Sequence, residues 1–253
     1  MTSKNIIHKN FVPKKYLSQK LNIKFNKTYS KILKKIINNL DTKQDTFHSL
    51  SKKFKFNFNL KDLHKFKNFE TVVVIGMGGS ILGSEAIYSF LKGKIKKNFL
   101  FLNDIDQDKI SRIIKKKFFK KILFIVISKS GSTIETLSNL LALKIIKKYP
   151  KNIIVVTEKN NNPLNLISKK IGLYTIEHKN YIGGRYSVLS EVGMLPAYLM
   201  GLNISKFRKN LLNYLKTNNN KILKDSAIKL ANILKTNKLK NLILFNYIPC
   251  LEK

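Results

Sequence analysis

The run Gly183-Gly184-Arg185-Tyr186-Ser187-Val188-Leu189-Ser190-Glu191-Val192-Gly193 sets one arginine on a glycine turn ahead of an apolar stretch. Arginine is scarce in this chain: Arg112, Arg185 and Arg208 are the only three, and every other one of the 49 Lys plus Arg is lysine. A guanidinium is planar, always charged and able to bind an oxyanion through two parallel donors, which an ammonium cannot copy. Arg185 is therefore the candidate for answering negative charge. A second candidate is Ser128-Lys129-Ser130-Gly131-Ser132-Thr133-Ile134-Glu135-Thr136, where the hydroxyls of Ser128, Ser130, Ser132 and Thr133 surround Lys129. Hydroxyl donors and free backbone N–H groups at a helix start make a phosphate cradle that needs no metal. Ser132 and Glu135 also have the spacing of a capping box, which predicts that a helix begins there. The third is Gly76-Met77-Gly78-Gly79-Ser80-Ile81-Leu82-Gly83, whose glycines would let backbone approach an anion. It lacks the third glycine of the dinucleotide fingerprint and the Lys-Ser/Thr ending of the ATP-binding loop, and a tight turn without ligand explains it equally well.

The elements around these segments place them. Short β-prone runs at 71–75, 99–102, 122–127, 152–156 and 173–176 alternate with helical stretches. That alternation predicts an α/β fold with a doubly wound, five-stranded parallel sheet covered by helices on both faces. In such sheets ligands bind beyond the carboxyl ends of the strands, where all three segments fall. Residues 1–65 read as an N-terminal helical segment, with Tyr29, Ile32, Leu33, Ile36 and Ile37 at amphipathic spacing and no visible chemistry. Residues 66–203 form the sheet domain. Residues 204–253 read as a helical connection, with helices at 205–216 and 221–235, and then the apolar run 242–247. One strand cannot bury its own faces, so the sequence reads as truncated or as needing a partner, and that run is expected to begin an incomplete second α/β domain.

Bulk properties narrow the class. A chain of 253 residues with 43% hydrophobic residues is globular in composition. The lone Cys250 rules out an internal disulfide and fits a reducing, cytoplasmic setting, and no apolar stretch approaches a membrane span. The net charge of +35 is spread through every segment, so it reads as solvated lysine faces more than as a nucleic-acid patch, although the field would attract phosphorylated metabolites.

With these three segments in this order, the chain resembles the phosphoglucose isomerase family, aldose–ketose isomerases built from two sugar isomerase (SIS) domains. The resemblance covers about residues 70–250. It implies that Gly79 and Ser80 contact substrate, and that Ser128, Lys129, Ser130, Gly131, Ser132 and Thr133 hold the 6-phosphate of glucose 6-phosphate or fructose 6-phosphate. It implies that Arg185 stabilises charge on a cis-enediol intermediate, that no cofactor or metal takes part, and that the complete protein is a homodimer. The family's glutamate base lies in a Gln-x-x-x-Glu-Ser-x-Gly-Lys-like segment, with a ring-opening histidine and a late lysine further on, and none of these occurs before Lys253. Glu191 is expected one turn into its helix, facing solvent, and His178 to be structural at a strand end. The competing reading is an SIS-type module that binds a phosphosugar without transforming it.

Overall fold

The computed structural model of the chain describes residues 9, 11–42, 45–115, 121–148, 150–215 and 220–243. Five strands, β1 (Thr71–Gly76), β2 (Asn98–Leu102), β3 (Ile122–Ile127), β4 (Ile153–Thr157) and β5 (Tyr174–Glu177), form one sheet in the order β2-β1-β3-β4-β5. Every neighbouring pair is parallel, and the register sets Thr71 opposite both Asn98 and Ile122, and Gly76 opposite Ile127. The helices are α1 (Gln19–Asn39), α2 (Leu60–Leu63), α3 (Leu82–Leu91), α4 (Gln107–Ile114), α5 (Ile134–Ala142), α6 (Ile145–Lys148), α7 (Pro163–Ile171), α8 (Glu191–Leu199), α9 (Ile204–Arg208) and α10 (Lys221–Lys235). This is the doubly wound α/β architecture that the alternating runs predict.

The central strands are nearly continuous Val and Ile because they are covered on both sides. Alternate residues serve different layers. Val72, Val74, Leu123, Ile125, Ile127, Ile154 and Val156 meet Ile87 of α3 and Val192, Met194 and Leu195 of α8. Val73, Ile75, Phe124, Val126, Ile153 and Val155 meet Ile110 and Ile113 of α4, Leu140 of α5 and Leu164 of α7. Local signals agree with the packing. Asn162 caps α7, its Oδ1 accepting from Asn165 N, Pro163 takes the first turn, and Gly172 ends the helix in the left-handed region at φ 72°.

Outside the sheet, α1 packs against α10: Asn232 accepts from Ser18 N (2.9 Å) and donates to Ser18 O (2.8 Å). The helix expected over 205–216 is shorter. It ends at Arg208 because Lys209 turns extended and Asn210 is left-handed (φ 69°), and a separate 3-10 turn follows over Leu211–Tyr214. Leu242 and Ile243 are exposed and outside any strand, and the rest of the run expected at 242–247 lies outside the described residues. Among the described residues, no helix is long and apolar enough to cross a membrane.

Phe124 is the largest fully buried side chain and sits mid-sheet. Phe124→Ala should lower unfolding stability by about 3–5 kcal/mol, read as a shift in the urea midpoint at unchanged slope.

Candidate active site

The strand order reverses between β1 and β3, and the chain leaves both strands into loops at the same end of the sheet. Glycine makes the closeness possible. A Cβ on Gly76 would stand 2.9 Å from the Ile127 carbonyl oxygen and 3.2 Å from Ser80 Cβ. One on Gly79 would collide with the Gly184 carbonyl and lie 2.7 Å from Arg185 N. The glycine turn after β1 and the arginine turn after β5 are therefore stacked backbone on backbone. Ser187 fastens them, with its Oγ 3.2 Å from Gly79 O and 2.7 Å from Gly184 O.

The loop after β3 is internally organised. Ser128 is buried, its Oγ accepts from Gly131 N (3.1 Å) and lies 3.0 Å from Thr133 Oγ1. Ser130 and Ser132 are exposed, and Ser132 Oγ donates to Ser130 Oγ at 3.1 Å. Gly131 has φ +63°, and the space its side chain would need is filled by Asn162. The capping box expected at Ser132 and Glu135 is absent. Thr133 is the N-cap of α5 and its side chain makes no capping hydrogen bond, because its hydroxyl is turned to Ser128. Lys129 does not project freely among the hydroxyls. Its Nζ donates to Asn180 O (2.8 Å) and lies 3.5 Å from Glu158 Oε1, tying this loop to those after β4 and β5.

The arginine segment is a 3-10 turn over Gly184–Leu189, followed by α8 with Ser190 as N-cap. Arg185 is exposed, and its side chain has no hydrogen bond or ion pair among the described residues. Glu191 is not the solvent-facing residue that its position suggests. It is the first residue of α8, 1% exposed, with Oε1 accepting from Lys179 Nζ (2.6 Å) and Asn57 N (2.8 Å). The turn from Ser190 aims it inward, under β5, and its Oε2 has no partner among the described residues. His178, just past β5, is buried as well. Nδ1 donates to Lys179 O (3.0 Å), Nε2 has no partner among the described residues, and burial holds its pKa below the usual 6.5.

Two site-shaping residues escape motif reading. Asn162 moulds the hydroxyl loop through Gly131, and the Asn-Pro helix start is the signal that marks it. Arg208 is the other. Its guanidinium donates to the carbonyls of Leu189 and Ser49 and stacks over Phe54, with burial lowering its pKa. The scarcity of arginine that singles out Arg185 applied equally to Arg208. Among the described residues, no group of three His, Cys, Asp or Glu is placed to hold a metal ion.

Two outcomes test this geometry. Gly131→Ala should destabilise by about 1–3 kcal/mol, since it adds a positive-φ penalty and a clash with Asn162, and thermal denaturation would read it. For His178, the unfolded chain takes up a proton near pH 6.5 that the folded chain refuses, so stability should fall as pH drops below 6.5. His178→Asn keeps the donor to Lys179 O and should flatten that part of the melting-temperature profile.

Comparison with known proteins adds to this picture. The phosphoglucose isomerase family model matches residues 26–227. A glucose-6-phosphate isomerase of Methanocaldococcus jannaschii is 30% identical over 211 residues, 81% of this chain and 50% of that protein. One of Borreliella afzelii is 35% identical over 182 residues, 66% of this chain and 34% of that protein. The chain thus spans half or less of the length of these two relatives. In fold it is similar to a glucose-6-phosphate isomerase of Chlamydia trachomatis, with TM-score 0.60 and 18% identity over 88% of this chain and 51% of that one. The match runs through the glycine turn, the hydroxyl loop and the arginine turn that the sheet brings together, and by it the chain belongs to the phosphoglucose isomerase family.

Proposed function

We propose that this chain supplies the phosphosugar-binding half of a glucose-6-phosphate isomerase, which interconverts glucose 6-phosphate and fructose 6-phosphate. The observation that carries the reading is the stacking of the Arg185 turn on Gly79, beside the hydroxyl loop at the switch point of the sheet. A phosphate seated at the start of α5 would meet the hydroxyls of Ser130, Ser132 and Thr133 and the loop's backbone N–H groups, with Gly79 and Ser80 lining the sugar's path. Lys129 takes part through its backbone and holds the loop through Asn180.

Isomerisation moves a proton from C2 of the open-chain aldose to C1, while the C1 oxygen gains a proton and the C2 oxygen becomes the carbonyl. Negative charge develops on these oxygens in the cis-enediol step, and an exposed, unpaired guanidinium at Arg185 is suited to balance it. The phosphate grip supplies positioning. No residue here is assigned to the base, since the family's glutamate segment is not among these 253 residues. The isolated chain is accordingly proposed to bind without turning over, and the complete protein to act as a homodimer in the cytoplasm.

The isolated chain should gain melting temperature with fructose 6-phosphate, and Thr133→Ala should reduce that gain. In the complete protein, Arg185→Ala should lower kcat by about 10²–10³ with KM changed only several-fold, as for a contact made in the transition state. A complete protein that binds the sugar phosphates and never exchanges them would favour a binding module without catalysis.

A further inference from the structure

Residues 45–57 carry no recognisable chemistry, yet they grip the arginine turn at both ends. At its start, Thr46 Oγ1 accepts from Gly183 N (3.0 Å) and donates to Tyr181 O (3.2 Å). At its end, Arg208 donates to Leu189 O and also to Ser49 O (2.7 Å), joining the last residue of the turn to the arm. Its guanidinium lies 4.9 Å from the ring of Phe54 and 5.2 Å from that of Phe56, both on the arm. Glu191, just beyond the turn, accepts from Asn57 N. Between these anchors Arg185 stands exposed.

We infer that this N-terminal arm is a positioning element for Arg185, acting through Thr46 and Arg208, whose hydrogen bonds go to backbone groups of the arm and around the turn. The inference rests on the phosphosugar reading above. Its physical basis is reach. On an untethered turn the root of a long side chain wanders, whereas a turn tied at both ends fixes the backbone point from which the guanidinium reaches, and a misplacement of about 1 Å is enough to cost roughly 10²-fold in rate. A planar fork suits Arg208 to this task. It can serve carbonyls from two segments at once while laying its plane on aromatic faces, and a lysine's compact ammonium has neither the fork nor the plane.

The test compares two ligands on the chain itself. Sorbitol 6-phosphate offers a phosphate ester and neutral hydroxyls. A five-carbon aldonic acid 5-phosphate offers the same phosphate and a carboxylate whose two oxygens copy the charge of an enediolate. Arg185→Ala should weaken the aldonate about 10-fold or more and the polyol phosphate about 2-fold or less, as expected for loss of one charge-assisted pair. Arg208→Lys and Thr46→Val should show the same selective loss, about 5-fold. Added to Arg185→Ala, either should cause no further loss, because the contact they position has already gone.

Equal weakening of both ligands, no weakening of either, or losses that add to that of Arg185→Ala would each overturn the inference. Should Arg208→Lys not fold, the near-isosteric Thr46→Val decides alone. A wild-type chain that binds neither ligand sinks the phosphosugar reading and this inference together. A wild-type chain that prefers the aldonate, with variants that keep the preference, sinks this inference alone.

Discussion

The Gly184 carbonyl occupies the space that a side chain at position 79 would need, and the arrangement of the site follows from that contact. It lays a segment that follows the last strand directly on the loop that follows the first. The same seam continues where Gly83 faces Val188 and where a Cβ on Gly193 would run into the Val188 carbonyl. Gly79 in the turn after β1, Gly83 on α3 and Gly193 on α8 thus seat one turn. Beneath it, all nine residues of α8 are buried against the sheet, so the height of Arg185 above the strand ends is set by core packing.

Two of the chain's three arginines serve opposite ends of guanidinium chemistry. Arg208 is turned inward, its donors spent on carbonyls and its plane on aromatic rings. Arg185 is turned outward, its donors uncommitted among the described residues. Lysine fills most other basic positions, where a hydrated point charge on the surface suffices. Lys179, which is mostly buried, is paired: it meets Glu191 at 2.6 Å, and the carboxylate takes a second hydrogen bond from backbone.

Much of the fold was legible because its strands are short Val and Ile runs, bounded by glycines and polar turns, that differ in period from the helices between them. The hydroxyl loop and the arginine turn announced themselves by residue type. What escaped depends on direction rather than type. Glu191 faces inward because the 3-10 turn ends at Leu189 and resets the helix face, which spacing counted from Arg185 does not reveal. The Ser132 and Glu135 pair has capping spacing, yet Ser128 competes for the Thr133 hydroxyl and the cap moves by one residue. Asn210 stops α9 by adopting a left-handed conformation that a polar, lysine-rich run does not advertise. The arm at 45–57 was silent, since its contacts to the site come from one threonine hydroxyl, two phenylalanine rings and scattered backbone groups that form no motif.

The two sides of the site differ in stiffness. The arginine side rests on a fully buried helix and is seamed by close backbone contacts, so it yields little to a ligand. On the other side, Ser130 and Ser132 are exposed and their hydroxyls bond to each other, a pairing that an incoming anion can exchange at small cost. Under the proposed function, accommodation to ligands of different size would fall to the hydroxyl loop. If the proposed phosphosugar reading holds, variation there would retune which phosphate esters are held, while the backbone of the arginine side would stay fixed for all of them.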